Sequence, residues 1–311
     1  MNLAEWIFLA LTTLLGFGMA RTGLCVIACT QDWVHKRDAA GLWLHVLTVS
    51  ALAVIALVTV SIWHTPIPQS SASLGQLLLG AVGVLVGFVI NGGCYFGSVS
   101  YLTQGNLNYL GTLIGITLAE RYPLPATQAF KAAEVLTTQA LPSVSPHWGQ
   151  WLWVVVWVGL MGAAWVKLQS QRAQRPKLIR RLKGVLILIL AASLLNVVQP
   201  GWNYSITLTH LAFQPFGGWH VTLIAGVMVL LGAIIANLLA RHWQLIPITV
   251  PRLLRCCVGG VVMDQAAQWI PGGSDAWILW GVPRLAVHGL IAYGVVMTLL
   301  LIPSIWIKPK S

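Results

Sequence analysis

Long apolar runs separated by short polar or Gly/Pro-rich breaks recur along almost the entire chain. Nine runs stand out: Leu3 to Met19, Leu42 to Trp63, Leu74 to Ile90, Leu107 to Ala119, Trp151 to Trp165, Gly184 to Val198, Trp219 to Leu239, Leu253 to Ile270 and Leu285 to Ile307. A helix needs roughly 20 apolar residues to cross a bilayer, and the pattern predicts an all-α polytopic membrane protein with about nine transmembrane helices. Shorter pieces follow some runs. Thr22 to Cys29 is a short Gly/Cys element, and another apolar piece ends at Leu102. Pro123 to Pro146 reads as interfacial, and Pro200 to Gly218 is too rich in Gly, Pro and aromatics to span.

Two of the breaks repeat. Leu77 to Cys94 reads LLLGAVGVLVGFVINGGC, and Leu253 to Ser274 reads LLRCCVGGVVMDQAAQWIPGGS. Placing Gly92-Gly93-Cys94 on Gly272-Gly273-Ser274 aligns Gly80 with Gly260 and Ile90 with Ile270. Each run ends in a Gly-Gly break, continues as a short apolar piece, and meets another glycine, Gly105 or Gly281, before a final helix. Interrupted hydrophobic segments at corresponding places in two halves point to a transport site between pseudosymmetric halves with short re-entrant helices. The competing reading is that such glycines only ease helix packing.

Composition supports the membrane class. Of the 311 residues, 57% are hydrophobic and 8% are charged, against about 25% charged in soluble domains. The formal charge of +11 would suggest nucleic acid in a soluble chain. Here the basic residues lie between apolar runs, which reads as topology, with lipid and not nucleic acid as the surrounding partner. Lys167 to Lys183 carries the densest basic cluster, including Arg172, Arg175, Lys177, Arg180 and Arg181. It divides the chain into a first half (1–166), a basic linker (167–183) predicted to be cytoplasmic, and a second half (184–311). Met1 to Met19 lacks a basic n-region, so no cleavable signal peptide is expected. The localisation that follows is multi-pass, in a bacterial inner membrane.

Non-helical backbone at membrane depth is tolerated only where it is buried in protein or lines a cavity. A helix that starts there points free N–H groups and a positive dipole end inward, and two facing broken helices would hold an anion. Cys94 follows the first break and offers a weak S–H donor and a soft surface. Cys25 ends Arg21-Thr22-Gly23-Leu24-Cys25, with Cys29 on the same helical face. The pair suits a solute path, a soft-metal site or simple packing. Arg21 either steers anions toward Cys25 or snorkels. Asp275, after Gly273-Ser274, would bind a proton or orient the second break. Asp264 is expected to pair with Arg255, Cys256 and Cys257 to pack in an apolar run without a nearby break, and His210 and His288 to be packed polar groups. There is no P-loop, HExxH, Rossmann glycine pattern or nucleophile elbow, which argues against an ATP-driven pump or a soluble-type enzyme and calls for no cofactor.

At Arg21-Thr22-Gly23-Leu24-Cys25, at Gly80 to Gly105 with Gly92-Gly93-Cys94-Tyr95-Phe96-Gly97, and at Arg255 to Gly273, the chain resembles the YeeE/YedE family of sulfur-transport membrane proteins, which includes a bacterial thiosulfate importer. The resemblance implies a two-fold pseudosymmetric helical protein with short helices meeting at mid-membrane. It also implies cysteines that relay thiosulfate through S–H contacts, and a soluble sulfur-carrier partner in the cytoplasm. Cys25 and Cys94 match two relay positions, whereas Ser274 stands where the family carries a third cysteine. The expected function is transport of a small sulfur-containing anion past Cys25, Cys94 and Ser274, framed by Gly92, Gly93, Gly272 and Gly273. The alternatives are a membrane thiol or persulfide protein and a soft-metal permease.

Overall fold

The computed structural model describes residues 2–63, 72–125, 127, 148–172, 176–199, 202–213, 221–270 and 277–302. Two long helices begin in capping boxes, which close the first orphan N–H groups reciprocally. In α1 (Leu3–Thr22), Glu5 N donates to Asn2 Oδ1 at 2.9 Å and Asn2 N to Glu5 Oε2 at 3.0 Å. In α4 (Leu74–Asn91), Ser73 and Gln76 do the same. Between them lie α2 (Val26–Lys36) and α3 (Ala40–Trp63), and α4 is followed by α5 (Tyr95–Thr103), a 3-10 turn at Leu107–Tyr109 and α6 (Leu110–Arg121). The second part holds α7 (Trp148–Arg172), α8 (Pro176–Val198), α9 (Tyr204–Phe213), α10 (Val221–Leu239), α11 (Val250–Ala267), a π-helical turn at Trp277–Gly281 and α12 (Val287–Leu300).

The molecule is an all-α, multi-pass membrane protein, with no strand beyond one isolated bridge between Asn106 and Ile246 among the described residues. Among the described residues, six stretches are long and apolar enough to cross a bilayer: Leu3–Lys36, Ala40–Thr59, Leu74–Thr103, Trp151–Ser170, Leu178–Val198 and Val221–Leu239. Leu3–Lys36 and Leu74–Thr103 each contain a break, so each is a long helix followed by a short one. Outward faces are apolar in a way only lipid tolerates, as with Leu186, Leu190 and Leu194 on α8 and Leu231, Ile235 and Leu238 on α10.

Lipid tails are as apolar as leucine, so these helices gain little by hiding leucine from lipid and associate through close van der Waals fit. Small residues set that fit. Helices α4 and α11 cross antiparallel, with Gly80 against Ile270, Gly83 against Ala266, Gly87 against Met263 and Gly259 against Asn91. A methyl added at Gly87 would lie 2.5 Å from the Met263 backbone nitrogen, too close for this crossing to persist. Helix α1 crosses α8 antiparallel through Gly18 and Gly184, and it also packs on α10.

Several local readings change. Helix α2 runs to Lys36, beyond the short element expected at Cys29, because the polar continuation still favours helix: Lys36 pairs with Asp32 one turn back at 2.7 Å. Within Pro200 to Gly218 lies α9, whose 10 residues extend roughly 15 Å at 1.5 Å per residue, too short to span. The basic stretch 167–183 is carried by the end of α7 and the start of α8, with 173–175 outside the described residues. Most of Pro123 to Pro146 lies outside them too.

Candidate functional site

Helix α1 stops at Gly23, whose φ of +60° is a left-handed conformation that glycine adopts without penalty. The terminal carbonyls do not go unpaired. Arg181 of α8 donates from Nε to Thr22 O at 2.8 Å and from Nη2 to Gly23 O at 3.2 Å. A cation at a helix C-terminus also complements the dipole. The chain then restarts with Cys25 as N-cap of α2, and no side chain caps the first amides of that helix.

The second break is built by Asn91. Gly92 takes φ +76° and ends α4. The buried Asn91 side chain donates from Nδ2 to Gly93 O at 2.8 Å and to Ser98 Oγ at 2.7 Å, and accepts from Thr112 Oγ1 at 2.6 Å. This amide ties the end of α4 to the start of α5 and to α6. Cys94 is the N-cap of α5, and its Sγ accepts from Gly97 N at 3.4 Å.

The two breaks meet. Cys94 Sγ lies 3.8 Å from Cys25 Sγ, although 69 residues separate them, and both thiols are buried. Gly97 makes the approach possible, since a Cβ there would sit 2.5 Å from Cys25 Sγ. The N-terminal ends of α2 and α5 therefore converge on a thiol pair. Cys25 lines a cavity of about 80 Å³ together with Thr48, His45, Gly97, Ser100, Tyr101 and Gln104. Cys94 lines a smaller void of about 20 Å³ with Val26, Phe88, Tyr95, Trp277 and Tyr293. Phe96 and Ile278 border both, so the thiol pair stands between the two spaces.

A third, open cavity of about 490 Å³ lies beyond Gly92, lined by Asn91, Tyr109, Arg252, Arg255 and Cys256. Tyr101 lines the Cys25 cavity and Tyr109 the basic one, and their rings stack with centroids 5.0 Å apart. The Tyr109 hydroxyl donates to Gly92 O at 3.4 Å. The tyrosine stack is thus the partition between the basic cavity and the thiols.

Of the residues singled out in the sequence, Cys25, Cys94, Gly92 and Gly93 are brought together. Arg21 is not among the residues lining these cavities; its guanidinium lies 5.4 Å over the Phe17 ring, and Arg181 takes the place at the first break. Gly272, Gly273, Ser274 and Asp275 lie outside the described residues. The expected Asp264–Arg255 pair does not form. Nine residues apart on one helix, they face different neighbours: Asp264 accepts from Tyr95 Oη at 2.6 Å and from Gln268, and Arg255 donates to Ile90 O and Val89 O. Cys256, expected in an apolar run away from any break, packs beside the Asn91 carbonyl and lines the basic cavity. Cys29 turns to Gly23 O at 3.8 Å and is not among the residues lining the Cys25 cavity. No cluster of three or more His, Cys, Asp or Glu able to hold a metal occurs among the described residues.

His45 was invisible to the sequence reading. It sits within an apolar helix, 2% exposed, with neither ring nitrogen hydrogen-bonded among the described residues, stacked on Tyr293 with centroids 5.8 Å apart. Buried polar atoms are nearly always paired, so an imidazole that lines the Cys25 cavity with both nitrogens unmet among the described residues is a departure from the rule. Its signal, one polar side chain in an apolar span, is common to packed histidines too.

A family model described as sulphur transport matches residues 21–299. No curated protein matches the chain.

Proposed function

The chain belongs to the sulphur-transport family of YeeE/YedE membrane proteins, and from that membership we propose that it carries a small sulfur-containing anion, thiosulfate-like, past the thiols of Cys25 and Cys94. One observation carries the reading: two buried thiols 3.8 Å apart, at converging helix N-termini, stand between separate cavities. Helix N-termini favour negative charge without presenting a formal cation that would trap the solute. A thiol adds a polarizable contact for sulfur. His45, Ser100 and Gln104 supply harder hydrogen bonds in the Cys25 cavity, and Arg252 and Arg255 give the open cavity its anion preference.

The same proposal covers the architecture. In addition to the six long spans, α11, α12 and the continuous segment formed by the turn at Leu107–Tyr109 with α6 serve as shorter crossings, giving nine. The halves, 1–166 and 184–311, joined by the basic stretch 167–183, are related by an inverted repeat. The antiparallel crossings of α1 with α8 and of α4 with α11 support it, because each pairs helices that correspond between the halves. Gly272, Gly273, Ser274 and Asp275 would form the second-half counterpart of the break at Gly92-Gly93-Cys94. The setting is a bacterial inner membrane, with a cytoplasmic sulfur-carrier protein as receiver.

Uptake into proteoliposomes of labelled thiosulfate, sulfate, sulfite and selenite tests the proposal. Wild-type protein should accumulate a sulfur anion, and Cys94→Ala should fold normally yet lose uptake. If Cys94→Ala transports at the wild-type rate per folded molecule, the thiol path is wrong. The thiol contact also favours a second reading, in which Cys94 thiolate attacks the outer sulfur of thiosulfate, forming a persulfide and releasing sulfite. Mass spectrometry of protein exposed to thiosulfate, with sulfite assayed in the medium, separates it from transport of the intact anion.

A further inference from the structure

Helix α7 stands at the margin of the bundle. It packs on α3 and scarcely touches α8, the next helix in the chain. Between these three helices runs an open groove of about 550 Å³, within the range of small-molecule sites. Its walls include Leu47 and Ala51 of α3, Val158 and Trp165 of α7, and Leu186 and Ile189 of α8. The α7 wall uses positions 158, 161, 162 and 165, which share one face of a helix. Gly162 leaves that face open, since a Cβ there would meet nothing within 4 Å. The groove is apolar except for one charge. Lys183 lines it while its side chain stays exposed. Arg180, three residues earlier and so its neighbour on the helix surface, is exposed as well. Neither forms an ion pair among the described residues.

The charge around this groove has one sign. Seven of the 17 residues from Lys167 to Lys183 are basic, and no acidic residue occurs between Glu134 and Asp264. Trp165 lies seven residues before the end of α7, roughly 10 Å, and Ile179 three residues after the start of α8, so the groove lies beside the basic stretch. We propose that it seats an anionic glycerophospholipid, with an acyl chain between α3, α7 and α8 and the phosphate on Lys183 and Arg180. Walls of leucine, isoleucine and valine suit a hydrocarbon chain, and a lysine can lay its stem along them while its ammonium meets a headgroup. Basic pockets between membrane helices take anionic headgroups in this way. A free oxyanion would leave the apolar walls without a partner. A second copy of the chain, seated by twofold symmetry, would bring its own basic stretch against this one. The groove also shares its walls with the Cys25 cavity. Thr48 and Leu52 on α3 and Leu188 on α8 line that cavity, each next in sequence to Leu47, Ala51 and Ile189 of the groove. The lipid thus braces the helices that enclose the thiols.

The test uses the full chain, delipidated in a neutral detergent, with lipid binding read by native mass spectrometry and by the thermal midpoint, which a ligand of the folded state raises. Phosphatidylglycerol should bind more tightly than phosphatidylcholine of the same acyl chains and raise the midpoint further. One basic side chain near a headgroup contributes about fivefold in affinity, so Lys183→Gln should lose about that much for phosphatidylglycerol and Arg180→Gln/Lys183→Gln roughly twentyfold, with phosphatidylcholine unchanged. Gly162→Leu fills the groove at a position with free space, so it should fold and should bind both lipids several-fold more weakly. Equal binding of the two lipids by wild-type protein, or a wild-type preference in the double variant, overturns the headgroup contact. Wild-type affinity in Gly162→Leu overturns the groove as the seat. Glycerol phosphate that raises the midpoint as far as the lipid does overturns the part given to the acyl chain. A dimer that Gly162→Leu abolishes assigns the groove to a second copy and overturns the lipid. Binding is read without transport, so failure here is distinct from failure of the thiol path.

Discussion

Gly97→Ala should disable transport by forcing the two thiols apart. The added methyl carbon would sit 2.5 Å from Cys25 Sγ and 3.1 Å from Cys25 Cβ. Relaxed heavy-atom contacts lie near 3.5–4.0 Å, so the overlap with sulfur is about 1 Å. Neither neighbour yields easily, because Cys25 is the N-cap of α2 and Gly97 lies in the first turn of α5. Overpacking of this kind costs roughly 1–3 kcal/mol. Relief requires the helix ends to separate, which lengthens the 3.8 Å thiol contact. Thermal unfolding in detergent and uptake in proteoliposomes, both per folded molecule, read the two consequences. The double variant Gly97→Ala/Cys25→Ala deletes the sulfur that clashes. It should recover most of the lost stability while uptake stays low, a coupling that a double-mutant cycle isolates. If Gly97→Ala alone melts and transports like wild type, the close approach of α5 to Cys25 is not a feature of the working protein.

Three further outcomes follow from named contacts. His45→Leu should leave stability unchanged or raise it by about 1 kcal/mol, because two unmet buried nitrogens disappear, while uptake falls; a loss of stability with normal uptake would make His45 a packing residue. Tyr95→Phe removes the 2.6 Å bond to Asp264 and should cost about 1.5–3 kcal/mol in thermal or denaturant unfolding; an unchanged midpoint would mean that the bond does not anchor α5. A cysteine introduced at the exposed Ser170 should react with impermeant maleimide in inside-out vesicles and not in intact cells; the reverse pattern inverts the orientation.

The sequence alone determined the membrane class, the start of α4 at Leu74 and the break at Gly92-Gly93, because these depend on local chemistry. Apolar length, a capping box and a glycine in a left-handed conformation are each legible within a few residues. The break at Gly23 was fainter, since it rests on a single glycine and on Arg181, which is 158 residues away. Which groups meet across the bundle was decided only by tertiary structure. The approach of Cys25 to Cys94, the bond from Tyr95 to Asp264 in place of an Arg255 pair, and the stack of His45 on Tyr293 all join distant segments. The physical reason is the solvent. In lipid, apolar helices have no hydrophobic drive toward particular partners, so crossings follow from the fit of small residues such as Gly83, Gly87 and Gly259 into opposing backbone. That complementarity belongs to pairs of surfaces, and no single run of the sequence contains it.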